Sequence, residues 1–160
     1  MLQVQLICVG KLKESFYLAA CQEYEKRMKG LCKLTITQIP EQRLSDAPSQ
    51  GEIDAALQKE AEAIREQLPK GGRVAALCVE GSLLSSEGLS AQFEQWMLEG
   101  SSSLAFVIGG SFGLHESIKN SAALRLSISP MTFPHHLARV IVLEQIYRAF
   151  QIQKGTRYHK

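Results

Sequence analysis

Apolar and polar positions change period along the chain, and the changes divide it into alternating strands and helices. Gln3 to Val9 alternates every second residue and stops at Gly10, which predicts a strand. From Ser15, a candidate N-cap, Phe16, Ala20, Tyr24 and Met28 fall four apart and predict a helix closing at Gly30. Lys33 to Ile39 alternates until Pro40, a pattern suited to an edge strand. Ile53, Leu57, Ile64 and Leu68 then trace one stripe through a charged segment and predict a helix ended by Pro69 to Gly72. Arg73 to Val79 is a largely buried strand that delivers Glu80 and Gly81 to the sheet edge. Ser85 to Glu87 opens a helix with Leu89, Phe93, Trp96 and Met97 as its apolar face, closed by Gly100.

The run Leu104 to Ile108 is apolar without interruption and ends in Gly109 and Gly110, the mark of a strand covered on both faces. Its glycines suit either a ligand approaching the backbone or a tight strand-to-helix turn. A short helix around His115 to Ser121, a strand from Ala123 to Ser129 and a loop pinned by Pro130 and Pro134 follow. The last helix, His135 to about Gln153, carries apolar residues on more than one face: Leu137, Val140, Ile141, Val142, Leu143, Ile146, Tyr147 and Phe150. Two explanations fit this excess, a subunit interface or burial deep in the monomer. The alternation of strands and helices predicts an α/β fold, a three-layer sandwich with a mainly parallel sheet, as one domain over 1–160. Residues 41–51 read as a loop without recognisable chemistry.

Composition adds bounds. A hydrophobic fraction of 45% and a charged fraction of 21% are those of an ordinary globular protein, and no apolar run is long enough for a membrane span. The N-terminus lacks a basic leader, so a cytoplasmic protein is expected. Cys8, Cys21, Cys32 and Cys78 are too far apart for zinc or redox pairs and read as reduced thiols. Residues 1–110 hold 11 Lys and Arg against 14 Asp and Glu, whereas residues 111–160 hold 7 against 2 and all four histidines. The C-terminal part therefore suits an anionic partner.

Several chemistries are disfavoured. The chain has no G-x-G and no Walker loop, and the adjacent His135 and His136 diverge on a helix, so no metal site is expected. Gly109-Gly110-Ser111-Phe112-Gly113 does match G-x-S-x-G at a strand-to-helix turn, which raises a serine hydrolase as the alternative. The acids after Ser111 are only Glu116 and Glu144, and neither suits a triad in the order Ser, acid, His.

Four stretches carry a family resemblance: Phe106 to His115, Ser129 to His135, Arg139 to Phe150, and the ending Tyr158-His159-Lys160. Together with Val9 to Lys13 and Glu23 to Arg27, they closely resemble the bacterial pseudouridine N3-methyltransferases of large-subunit ribosomal RNA, in the SPOUT superfamily. The resemblance implies a homodimer that uses S-adenosylmethionine, bound in a C-terminal trefoil knot, to methylate helix 69 of 23S ribosomal RNA in assembled ribosomes. A SPOUT enzyme acting on another RNA, such as transfer RNA, is the nearest rival.

The resemblance further implies a cofactor pocket of Leu77, Gly109, Ile128, Ser129, Pro130, Met131, Thr132 and Phe133. Methylating an imide nitrogen requires loss of its proton, for which His135, Arg139, Tyr158 and His159 are the candidates. His135 equally suits a helix cap. Arg139, Lys154, Arg157 and Lys160 are the candidate RNA contacts. The tail Thr156 to Lys160, beyond a hinge at Gly155, is expected to belong to the active site, in its own subunit or across the dimer.

Overall fold

The computed structural model describes residues 1–160. Its strands are β1 (Gln3–Val9), β2 (Lys33–Ile39), β3 (Arg73–Leu83), β4 (Ser103–Ile108) and β5 (Leu124–Ser127). Its helices are α1 (Ser15–Met28), α2 (Gln50–Gln67), α3 (Ser86–Leu98), α4 (Glu116–Ser121) and α5 (His135–Gln153). All five strands form one parallel sheet in the order β2-β1-β4-β3-β5. β4 lies at its centre, where both faces are covered, and accordingly Leu104 to Ile108 are all buried. β2 lies at an edge, as its alternation predicts.

Side-chain alternation along the strands separates two layers of core. Leu6, Cys8, Phe106 and Ile108 join the larger cluster, under α1, α3 and α5, where Phe93 stacks against Phe106 and Phe150 at 5.7 and 5.9 Å. Ile7, Val9 and Val107 point the other way, into a smaller cluster under α2 and α4. The result is the expected three-layer α/β sandwich.

The boundaries differ where tertiary contacts intervene. β3 runs on to Leu83: it pairs with β5 through Leu77–Leu126, leaves the ladder, and pairs again at Ser82–Leu126 and Leu83–Ser127. In the gap, a side chain on Gly81 would come within 2.8 Å of the Arg125 backbone, so only glycine permits the approach. Ser15 is the first helical residue and Glu14 takes the cap position without a side-chain bond, whereas Ser49 and Ser85 cap α2 and α3.

Burial along α5 decides between its two explanations for much of the helix. Val142 is 3% exposed and Leu143 and Ile146 are fully buried against the sheet of their own chain. Val140, Ile141 and Tyr147 are only half-buried. The excess apolar surface is thus partly monomer core and partly an open flank. Cys8, Cys21 and Cys32 are buried free thiols, and burial pushes the Cys8 thiol up to about 12. No helix is long and apolar enough to cross a membrane.

Candidate cofactor and active site

The carboxyl ends of β3, β4 and β5 converge on a cavity of about 750 Å³ with a mixed apolar and polar lining. Leu77, Gly109, Ile128, Ser129, Met131, Thr132 and Phe133 all line it. Pro130 does not; it sits exposed on the outer bend of the loop, where it shapes the backbone and leaves the lining to its neighbours. The loop is held by its own serines: Ser127 Oγ donates to the Ser129 carbonyl (3.0 Å), and the Met131 N–H donates to Ser129 Oγ (3.0 Å). The backbone N–H groups of Ile128, Thr132 and Phe133 enter no turn, loop or cap hydrogen bond.

The glycine turn owes its composition to its own backbone. A side chain on Gly109 would meet the Gly113 carbonyl oxygen at 2.3 Å, and Gly113 has φ of +80°. Gly110 is likewise covered, by the Glu41 carboxylate at 2.6 Å. The turn reading therefore accounts for Gly109, whereas Gly110 faces the movable end of the Glu41 side chain, and both glycines form part of the pocket wall.

Glu41 is the residue that local pattern does not disclose. It lies in the segment without recognisable chemistry, yet its Oε1 accepts hydrogen bonds from the Ser111 N–H (3.0 Å) and Ser111 Oγ (3.1 Å), across 70 residues. Ser111 is thereby tied to an acid, with no histidine bonded to it, and lacks the base that a hydrolase nucleophile requires. The only sequence signal for Glu41 is an acidic residue directly after the Pro40 that ends β2.

His135 lines the cavity from the first turn of α5. It makes no cap: Pro134 occupies that position, and the buried Nδ1 of His135 has no partner. Burial lowers its pKa, aided by His136, whose ring lies 4.1 Å away, and by Arg139, so the imidazole is neutral and able to accept a proton at physiological pH. His115, by contrast, does cap its helix, accepting from the Ser117 N–H at 3.1 Å.

Arg139 does not belong to an RNA surface in this fold. It is 2% exposed, and its guanidinium donates to the Gly10 carbonyl (3.0 Å) and Gln38 Oε1 (3.2 Å), pinning the end of β1 to β2. A side chain so enclosed reaches neither a phosphate nor a reacting base. Much of the C-terminal positive charge is consumed in the same way. Lys119 pairs with Glu80 (2.6 Å) and Glu116 (2.8 Å), Arg148 with Glu144 (2.6 Å), and Arg125 bonds Asn120. Lys154, Arg157 and Lys160 remain exposed.

Tyr158 and His159 do not reach the cavity of their own chain. After α5 the tail folds back on the helix: Tyr158 Oη donates to Glu144 (2.8 Å), and its ring packs on Tyr147 at 4.9 Å and under Arg148 at 4.6 Å. His159 Nε2 lies 2.6 Å from Glu87 on α3. The tail is ordered and docked, but alongside the middle of α5 rather than at His135.

Known proteins give this geometry a context. A family model described as "Predicted SPOUT methyltransferase" matches residues 2–159. The chain belongs to the SPOUT methyltransferases. It is 42% identical over 159 residues to the ribosomal RNA large subunit methyltransferase H of Streptococcus equi subsp. zooepidemicus (strain MGCS10565), covering 99% of this chain and 100% of that protein. Streptococcus equi subsp. equi (strain 4047) has a relative with the same figures. Among solved structures, a probable methylase family protein from Haemophilus influenzae Rd KW20 shares the fold with a TM-score of 0.54 at 11% identity, over 98% of this chain and 70% of that one. A protein solved in work on 2-OH methylation of C/U34 on tRNA has a TM-score of 0.53 at 19% identity, over 96% of this chain and 97% of that one.

S-adenosylmethionine is the methyl donor of SPOUT enzymes and the cofactor of this chain. The cavity fits it on three counts: its volume lies in the range of small-molecule sites, its walls offer apolar contacts, and its loop presents unused backbone donors. When bound, the sulfonium supplies a methyl group for direct displacement by a nucleophile, which needs alignment of the two more than any covalent help from the protein. Ile128, Thr132 and Phe133 would hold the cofactor through their backbones beside the Glu41-held turn, and His135, its pKa lowered by burial, lines the same cavity.

Proposed function

We propose that this SPOUT methyltransferase transfers a methyl group from S-adenosylmethionine to N3 of a pseudouridine in helix 69 of 23S ribosomal RNA, acting on assembled ribosomes in the cytoplasm. The observation that carries the reading is 42% identity, end to end, with proteins named ribosomal RNA large subunit methyltransferase H. The choice of N3 and of helix 69 rests on the resemblance of the glycine turn, the proline loop and the C-terminal ending to the pseudouridine N3-methyltransferases. His135 is the group in the cavity best suited to receive the N3 proton, being half-buried, with a lowered pKa and an unpartnered Nδ1.

The active form is a homodimer joined along the half-buried flank of α5, where Ile141 lines one cavity with the exposed Leu84. In that assembly the tail of one subunit, with Tyr158 and His159, closes over the pocket of the other. A C-terminal trefoil knot fits the SPOUT family to which the chain belongs. A structure of this size has little surface for reading bases and depends on the preassembled shape of its substrate.

Labelled methyl transfer to intact ribosomes, separated subunits and naked RNA, with the labelled nucleotide mapped, tests the reading. Incorporation into helix 69 of ribosomes alone is the expected result. Labelling of transfer RNA in place of ribosomes would reject the substrate.

A further inference from the structure

A second cavity, of about 600 Å³, opens on the other side of the glycine turn, and Ser111 and Phe112 line both it and the cofactor pocket. Lys11, Lys13 and Arg43 line this second cavity. All three are exposed, and none takes part in the ion pairs of the chain.

Their placement is built into the fold. Arg139 holds the Gly10 carbonyl, and the Leu12 N–H donates to Gln38 Oε1 at 2.8 Å. Leu12 is 5% exposed, so the alternating backbone turns Lys11 and Lys13 outward on either side of it. Arg43 is carried by a segment tethered just before it, through Glu41 to Ser111 and through the Gln42 N–H to Glu60 at 2.8 Å. The acids at this cavity are Glu41 and Glu60. Glu41 accepts from Ser111 and the 5%-exposed Glu60 accepts from the Gln42 N–H, so the three rim cations outnumber the two carboxylates and face solvent without an ion-pair partner. His136, the remaining titratable group of the lining, pairs with Glu14 at 3.4 Å. Between the two cavities stands Phe112, 49% exposed, an aromatic face open to solvent beside the cofactor pocket.

A groove of free cations next to an exposed aromatic ring is the combination that single-stranded nucleic acid engages, with phosphates on the cations and a base on the ring. We propose that this second cavity is the binding groove for the single-stranded RNA flanking the target nucleotide, with phosphates at Lys11, Lys13 and Arg43 and a base stacked on Phe112. The strand then crosses the Gly110–Phe112 turn and presents the next base to the cofactor. An acidic protein segment would use the same cations but has no call on Phe112. The proposal rests on the reading of the chain as an RNA methyltransferase, but not on which RNA it modifies.

The test is fluorescence anisotropy of a short fluorescein-labelled oligouridylate over a range of KCl, at saturating S-adenosylmethionine. Wild type is compared with Lys11→Ala/Lys13→Ala, Arg43→Ala and Phe112→Leu. Lys29→Ala/Lys33→Ala, at the opposite end of the sheet, serves as a control of equal charge change. The Lys11/Lys13 variant is expected to bind at least about tenfold more weakly at low salt, with the salt slope reduced by about 0.7 for each phosphate contact removed. Arg43→Ala is expected to show the same reduction for one contact. Phe112→Leu is expected to lose roughly five- to a hundredfold with the slope unchanged. Calorimetry with S-adenosylmethionine should match wild type for the lysine and arginine variants, which establishes that they are folded.

Absence of wild-type binding, unchanged affinity in the Lys11/Lys13 variant, an equal loss in the control, or indifference to Phe112→Leu would each overturn the groove. Ribosome methylation by wild type, run in parallel, keeps the two ideas apart. Failure to label ribosomes with the oligonucleotide pattern intact rejects the ribosomal substrate alone. Normal ribosome labelling with unchanged binding by the variants rejects the groove alone.

Discussion

Arg139 carries a charge that a reading of the sequence assigns to RNA, and the fold spends it on the Gly10 carbonyl and Gln38 instead. Its removal takes the guanidinium from the Gly10 carbonyl and leaves Gln38 Oε1 with the Leu12 N–H alone, in a buried site. Arg139→Met is therefore expected to lower stability by about 2–4 kcal/mol, seen as a lower urea midpoint with an unchanged slope. Arg139→Lys should recover only part of that loss, because an ammonium lacks the planar fork. His135 gives a residue-scale prediction of opposite origin. Burial holds its folded pKa below the unfolded value of about 6.5, so in the interval between the two the unfolded chain binds more protons. Its contribution to stability is complete above about pH 6.5 and is lost as the pH falls through the folded pKa. Thermal melts of wild type should show that loss on mild acidification, and His135→Gln should flatten it while impairing methyl transfer.

At the scale of the element, α5 mixes two kinds of apolar position that its sequence does not distinguish. Val142 and Leu143 face the sheet of their own chain, and Ile141 lies on the half-buried flank. Val142→Glu places an unpaired charge in the core and should yield unfolded or insoluble protein. Ile141→Glu should fold normally, by circular dichroism, and sediment as a monomer. A dimeric Ile141→Glu protein would move the interface away from this flank. The same helix ends in Gly155, at φ +65°, with the Thr156 N–H bonded back to the Gln151 carbonyl at 3.1 Å, and this reversal sends the tail back along the helix.

At the scale of the whole molecule, the tail and the pocket lie apart within one chain, so the proposed closure of the tail over the pocket requires a second chain. Deleting residues 156–160 is expected to leave S-adenosylmethionine affinity and dimerisation near normal and to reduce methyl transfer by about a hundredfold or more. Mixing tail-deleted chains with chains carrying a disabled pocket should restore activity in the mixed dimer, and absence of restoration would place the tail outside the site. Much of the fold was legible beforehand. Strand alternation, helical stripes and glycine stops set the ten elements, because each residue's partition between sheet face, helix face and water follows a local period. The glycine turn marked a strand end suited to a ligand or to a tight turn, and the family resemblance, not the local period, implied that the proline loop joins it in the pocket. What only the tertiary structure decided are the pairings across the chain. Glu41 meets Ser111 over 70 residues and Arg139 meets Gly10 over 129. Those contacts depend on the strand order β2-β1-β4-β3-β5, which brings the end of β1 and the start of the 40–45 segment beside the carboxyl end of β4. No local period encodes that order, so the sequence by itself located the charges and the histidine, and the packing of the sheet determined which of them are spent inside the protein and which are left to face a substrate.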